Sequence, residues 1–242
     1  MSDLLQEHRP RDVDNLFRTL SKLYGDGRLV FRGQGNKNWK LVSSFDRLHS
    51  GTLVCRETDF EHLLIQYRKL VERHYDIRIS ADGNDIASLG QHFGLPTRLL
   101  DWSFSPFIGL FFCIDETSFS LKQDSAIYAL DRSLLENKVS RNLFEFIDPD
   151  TRYNSNLIRQ QGCLSRIKTH HNHLVECFDS MKDQLPDDFS VQKFIVKNKW
   201  MTEIWKRLNA MNLNHISLFD SKESVSKKLK TDIILSVLPY DE

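Results

Sequence analysis

Val13, Leu16, Phe17, Leu20 and Leu23 fall three and four residues apart, which predicts an amphipathic helix. Gly25 and Gly27 end it, and residues 28–33 then read as a short strand that stops at a glycine. Phe60, Leu63, Leu64, Tyr67, Leu70, Val71 and His74 share one face of a longer helix, with Thr58 and Glu61 spaced as a capping box at its start. A shorter helix is predicted over 85–93, closed by Gly94. Ser105 and Pro106 then open a helix running to about Glu116. Ser suits the N-cap, and Pro suits the first helical position because the missing N–H has no helical partner there. That segment is apolar nearly all round, which predicts burial.

Beyond it, 125–130, 143–147 and 163–167 read as strands, with a short helix over 154–161 ended by Gly162. Residues 189–197 read as another strand, and Met201, Ile204, Trp205, Leu208 and Met211 mark a helix. Asp220 and Glu223 suggest a capped helix through Leu229, followed by a last strand over 232–238. There are no repeats, and Pro and Gly are not gathered into a linker. The expectation is one α+β domain over 1–242, a mixed β core with helices packed round it.

Composition narrows the class. The chain has 242 residues, 40% hydrophobic and 27% charged, with 33 basic and 33 acidic residues. That composition argues against disorder. The longest apolar run, 106–114, is far below the ~18 residues that suggest a membrane span, so no membrane association is expected. Cys55, Cys113, Cys163 and Cys177 never approach C-x-x-C spacing, and residues 1–8 lack the features of a signal peptide. Reduced thiols and a cytoplasmic location follow as expectations.

The zero total charge hides segregation along the chain. Residues 9–47 hold nine basic and four acidic residues, a net of +5, and 197–230 hold eight and three, again +5. Residues 115–151 hold four and eight, a net of −4. Trp39, Trp200 and Trp205 lie in the basic segments, where exposed rings can stack on bases. The alternative is a core Trp205 and solvated lysines. His170, His171 and His173 lack the spacing and companions of a zinc site, so no metal is expected.

Two segments carry chemistry beyond core packing. The first is Phe31-Arg32-Gly33-Gln34, followed by Trp39, Leu41 and Arg47. Arg32 presents a rigid fork of donors suited to phosphate or carboxylate, beside a glycine that permits close approach. The alternative is a structural Arg paired with Asp101. The second is Gln91-His92-Phe93-Gly94-Leu95-Pro96-Thr97-Arg98-Leu99-Leu100-Asp101-Trp102, continuing to Ser103, Ser105 and Pro106. It reads as a polar loop between two apolar helices, in which Arg98 and Asp101 can pair locally.

These two strings, with Arg159-Gln160-Gln161-Gly162 and Leu218-Phe219-Asp220, resemble the FRG domain family over about residues 24–230. The resemblance implies bacterial or phage-associated company, with a defence or toxin role, and names no reaction. The motif order is also similar to that of ADP-ribosyltransferases of the Arg-Ser-Glu kind. In that comparison Arg32-Gly33 is the first element, Ser103-x-Ser105 with Gly109 and Phe112 the second, and Gln160 with Gln161 the third.

The similarity implies NAD as ligand and an ADP-ribosyltransferase-like fold. Arg32 would hold phosphate or ribose, a serine would fix the carboxamide or the Arg, and a carboxylate would face the nicotinamide ribose. At the third element this chain has glutamines and no Glu-x-Glu pair. The expected ligand-binding residues are Arg32, Gly33, Gln34, Thr97, Arg98, Asp101, Ser103 and Ser105, with His92 and Gln161 as catalytic candidates and His92 the proton-transfer group. The alternatives are a non-enzymatic nucleotide- or nucleic-acid-binding module, a module for a protein target, or a nuclease-like toxin.

Overall fold

The computed structural model describes residues 3–25, 27–48, 57–76, 78–79, 82–115, 123–152, 154–219 and 221–237. Seven strands form one mixed sheet: β1 (Leu5–His8), β2 (Leu29–Gln34), β3 (Leu99–Ser103), β4 (Ser125–Asp131), β5 (Phe144–Ile147), β6 (Gly162–Ile167) and β7 (Val191–Val196). Their spatial order is β1-β7-β4-β2-β3-β6-β5. Only β1 and β7 run parallel; the other pairs are antiparallel. The helices are α1 (Val13–Tyr24), α2 (Ser44–Leu48), α3 (Glu57–Tyr75), α4 (Gly83–His92), α5 (Pro106–Phe112), α6 (Arg132–Lys138), α7 (Asn156–Arg159), α8 (Leu174–Ser180), α9 (Met201–Ala210), α10 (His215–Leu218) and α11 (Lys222–Val237). The fold class is α+β, and no helix among the described residues is long and apolar enough to cross a membrane.

Strand alternation sorts the core into layers. On one face, Val30, Leu100, Trp102, Tyr128, Leu130 and Cys163 join the side chains of α6 and α8 in a cluster that spans the sheet. The other face carries two clusters. Phe31, Ile127, Ala129, Phe194 and Val196 meet α1, α5 and α9. Leu99 and Leu164 meet α3 and α4. The division falls between β2 and β3, which share a single bridged pair, Phe31 with Ser103. By contrast, β2 pairs with β4 along its whole length, from Leu29 to Gln34.

Gly33 sets how closely α5 approaches β2. A Cβ at Gly33 would lie 1.9 Å from the Gly109 carbonyl oxygen and 2.9 Å from the Cys113 nitrogen. A Cβ at Gly109 would meet the Phe31 Cβ at 3.2 Å. The strand carries a glycine at its fifth position, where the backbone of α5 occupies the place of a side chain, and runs one residue further, to Gln34.

Arg98, in the bend before β3, is buried and does not pair with Asp101 as the local reading allowed. Its Nε lies 3.2 Å from Asp46 Oδ1, and its Nη1 donates to Glu57 Oε2 at 2.9 Å. Its Nη2 donates to the carbonyls of Thr169 at 3.2 Å and His171 at 3.1 Å. One side chain therefore ties α2, α3 and the turn after β6 to the start of β3. Arg166 also reaches Glu57. Burying these charges is tolerable because each finds an opposite partner.

Several expectations need correction. Residues 91–106 are not a connector loop: they contain β3, which pairs along its length with β6. Residues 222–237 form one helix rather than a helix and a strand, and residue 238 lies outside the described residues. The apolar run near its end packs on the α9 and α10 layer rather than on a sheet edge. Trp205 Nε1 donates to Asp232 Oδ1 at 2.9 Å, and Lys228 donates to Asp232 Oδ2 one helical turn away at 2.7 Å. The strands β1 and β7 and the helices α6 and α8 complete the layers; β1, α6 and α8 carry too few periodic positions to be read from sequence. The longer helix α3 starts at Glu57, so Thr58 lies in its first turn and is not its cap. Near α7, Gln161 takes the left-handed conformation, φ 45°, and Gly162 begins β6. Cys113, Cys163 and Cys177 are free thiols; burial pushes Cys113 and Cys163 up to about 12. Cys55 and Asp220 lie outside the described residues.

Gly33→Ala should lower the free energy of unfolding by about 3 kcal/mol or more, because the added methyl meets backbone and not a movable side chain. A urea midpoint equal to wild type would show that α5 can shift freely. Arg98→Met should cost about 3–5 kcal/mol, since it strands Asp46 without its buried partner. Unchanged urea stability would show that Arg98 is not the clamp described.

Candidate nucleotide cavity

A cavity of about 360 Å³ opens where the two clusters on one face of the sheet part. Phe31, Phe112 and Phe219 come from one side, Leu157 from the other, and Arg32, Asp101 and Ser103 from the strand ends between them. The cavity follows from the single bridge between β2 and β3. Continuing that register would place Gly33 opposite Asp101, but the strands have parted there. Arg32 fills the gap: its Nη1 donates to the Asp101 carbonyl at 2.8 Å and to Asp101 Oδ2 at 3.4 Å. A guanidinium thus takes over a contact that a backbone amide would make in a continuous sheet.

The Arg32 side chain is 18% exposed, and its buried Nε has no hydrogen-bond partner. Burial holds the group below its ordinary value, Asp101 opposes that effect, and the nearby positive charge of Arg47 adds to it. Arg32 remains a cation all the same, because guanidinium does not lose its proton in proteins.

The dense polar string of the sequence resolves into a hydrogen-bonded chain. Ser44 Oγ accepts from Thr97 N at 3.0 Å, and Thr97 Oγ1 donates to Gln91 Oε1 at 2.6 Å. Gln91 Nε2 donates to Asp101 Oδ1, and Asp101 faces Arg32. The C-terminal turn of α4 thereby holds the carboxylate that orients the arginine. Asp101 is half exposed and Thr97 fully buried, so the chain runs from core to cavity.

A second carboxylate enters from the end of α5. Asp115 lines the cavity with its side chain 14% exposed, and its Oδ1 lies 3.2 Å from Nε2 of fully buried His215. His215 packs against Phe111, Trp205 and Phe219. Asn154 is 8% exposed, lines the cavity, and has no partner for its Oδ1.

The residues named from sequence divide into two groups. Arg32, Gly33, His92, Asp101 and Ser103 line the cavity. His92 is exposed at the end of α4, its ring against Phe93. Ser103 Oγ donates to the Gln160 carbonyl at 2.7 Å and accepts from Ser105 N at 3.0 Å, so its hydroxyl is already engaged.

Gln34, Thr97, Arg98, Ser105 and Gln161 do not line it. Gln34 Nε2 donates to the Lys40 carbonyl at 3.4 Å. Thr97 and Arg98 build the scaffold described above. Ser105 caps α5 by position, with no side-chain bond. The Gln161 carbonyl accepts from Phe104 N at 2.9 Å, and its neighbour Gln160 reaches the cavity instead. Sequence reasoning missed Gln91, Asp115, Asn154 and Asn156 as lining residues. Gln91 lies inside the polar string, and Asp115 lies three residues past the buried helix α5; the two asparagines have no such signal.

Several cations of the basic segments are engaged in ion pairs. Lys37 and Lys197 both bond Asp124 Oδ2 at 3.0 Å, and Lys40 pairs with Glu176 at 3.1 Å. Trp200 and Trp205 are buried in the core and cannot stack on bases; Trp39 is exposed. Among the described residues no group of three or more His, Cys, Asp or Glu is placed to hold a metal ion.

Residues 27–121 match the FRG domain, a stretch that runs from the start of β2 past α5. No curated protein and no solved structure gives a match. The matched stretch supplies Arg32, Gly33, Gln91, His92, Asp101, Ser103 and Asp115, while Asn154, Asn156, Gln160 and Phe219 close the cavity from outside it. Phe31-Arg32-Gly33 at the parted strands and the Gln91–Trp102 string that holds them in place both lie within the residues that match the FRG domain.

Proposed function

We propose that the cavity binds an anionic nucleotide of the NAD kind and acts on the bond between its base and its ribose. The reading is carried by one juxtaposition: Arg32, Asp101 and Asp115 share a cavity with the rings of Phe31, Trp102, Phe112 and Phe219. Its volume lies in the range of small-molecule sites, ~300–1,000 Å³. Aromatic rings suit a flat base, and the donors of Arg32 suit a phosphate or a ribose.

The third element of the transferase comparison lacked a carboxylate. In this reading Asp115 supplies one from the end of α5, positioned by His215. As the glycosidic C–N bond breaks, its electron pair leaves with the base nitrogen and positive charge grows on the ribose. A carboxylate placed beside that charge stabilises it. Water or a target side chain then bonds to the ribose carbon and gives up a proton, which the exposed imidazole of His92 in the cavity lining can accept. A binding module without turnover is the second reading. It is favoured by the commitment of Asp101 to Arg32 and Gln91, and of Ser103 to Gln160.

Titration calorimetry and base release measured with NAD test both readings. Wild type should bind NAD and release nicotinamide. Arg32→Ala should weaken binding about 10- to 100-fold, the loss of one charged hydrogen-bonding group. Asp115→Asn should keep binding and lose turnover. NAD bound but left intact by wild type would select the module, and equal binding by Arg32→Ala would remove Arg32 from the site. Growth arrest on expression, lost with Arg32→Ala, would support a toxin or defence role.

A further inference from the structure

Among the described residues that line the cavity, two side-chain atoms are buried and lack a hydrogen-bond partner: the donor Arg32 Nε and the acceptor Asn154 Oδ1. Polar neighbours in the lining are engaged. Ser103 Oγ both donates and accepts, Gln91 bonds Thr97 and Asp101 through the two ends of its amide, and Gln160 Nε2 donates to the Leu218 carbonyl at 3.3 Å. A buried acceptor left without a donor bears the full cost of its desolvation, so one in a native wall calls for a partner that arrives from outside the chain.

Asn154 is built into that wall. The residue is 8% exposed. Its backbone N–H donates to the Thr151 carbonyl at 3.3 Å, and its own carbonyl accepts from Leu157 N at 3.2 Å, in the turn that leads into α7. Its Nδ2 donates to Oγ of Ser88, a fully buried residue of α4, at 3.5 Å. Gln91 and His92, both in the cavity lining, lie one turn further along that helix. With Nδ2 turned to α4, Oδ1 is the end of the amide left over. The two unpaired atoms belong to different elements, Arg32 to β2 and Asn154 to the segment before α7.

We infer that Asn154 Oδ1 selects the base of the ligand, by accepting a hydrogen bond from an amino group on the edge of that base, while Arg32 takes the anionic end. This deepens the nucleotide reading and rests on it. One unpaired acceptor and one unpaired cationic donor give the cavity a direction, base toward α7 and phosphate or ribose toward β2. A dinucleotide of the NAD kind carries such an amino group twice, in the carboxamide of nicotinamide and on the adenine ring, and either one satisfies the same acceptor. A base with a methyl or a carbonyl in that place leaves Oδ1 unpaired or facing a second acceptor. A buried polar group left unpaired in this way rejects the wrong ligand more strongly than a lost apolar contact does. Asn154 lies outside the stretch that matches the FRG domain, so base choice and anion binding come from separate parts of the chain.

The test is titration calorimetry of wild type, Asn154→Leu and Asn154→Asp with three dinucleotides. These are NAD, its acetylpyridine analogue, in which a methyl ketone replaces the carboxamide, and its hypoxanthine analogue, in which a carbonyl replaces the adenine amino group. Wild type should bind NAD at least about 10-fold more tightly than one of the two analogues, the yield of one hydrogen bond to a buried acceptor. Weak binding of the acetylpyridine analogue places the carboxamide at Asn154, and weak binding of the hypoxanthine analogue places the adenine there. In Asn154→Leu, close in size but without an acceptor, the ratio should fall toward one. In Asn154→Asp, which keeps an acceptor, the ratio should persist. A purely structural role for Asn154 would weaken all three ligands alike and leave the ratio in place. Equal binding of all three by wild type, the result when a water answers Oδ1, overturns the inference and leaves the nucleotide reading standing. A ratio unchanged in Asn154→Leu, or lost in Asn154→Asp, does the same. Tighter binding of the hypoxanthine analogue than of NAD overturns it too, because the amide would then present a donor. No binding of any of the three by wild type removes the nucleotide reading and the inference with it.

Discussion

The place where a Gly33 side chain would stand is filled by the backbone of α5. The carbonyl of Gly109 comes so near that even a methyl group cannot be accommodated without moving the helix. From this contact the rest of the site follows. With α5 drawn onto β2, Phe31 is locked beneath the helix and Phe112 and Asp115 reach the space beyond the strand end. Had Gly33 carried a side chain, the helix would stand further off and the carboxylate with it.

A second constraint is the parting of β2 and β3. An open pair of strand ends leaves backbone groups that need partners. Arg32 answers that need with Nη1, while its buried Nε has no hydrogen-bond partner. Arg32 is a structural residue that also faces the cavity. It pairs with Asp101, as a structural arginine would, and it lines a cavity, as a ligand-binding one would.

The polar string that begins at Gln91 serves this same junction from behind. Thr97 and Arg98 are both buried, and they look outward in opposite ways. Thr97 passes hydrogen bonding to Gln91 and so to Asp101, while Arg98 gathers acids from two helices. Density of polar residues in a sequence thus marked a scaffold as much as a site. Thr97 and Arg98, read as ligand contacts, are buried supports of the junction.

Periodicity alone was enough to place α1, most of α3, α9 and the central strands, since the spacing of apolar residues states which side of an element must leave water. The motif strings likewise pointed to Arg32 and Asp101 before any contact was known. Partner choice was a different matter. Arg32 meets Asp101 across 69 residues, a pair named among the alternatives for Arg32, whereas His215 meets Asp115 across 100 with no such signal. Local spacing holds no information about such pairs, so Arg98 was matched to the nearest acid, and the final apolar run was read as a strand although it docks as a helix on α9. The sequence by itself determined the α+β class, the faces of its elements and the chemistry gathered at two motifs. Only the tertiary structure decided which of those groups share a cavity, because a strand that parts from its neighbour and a helix that touches a glycine are properties of packing between distant segments.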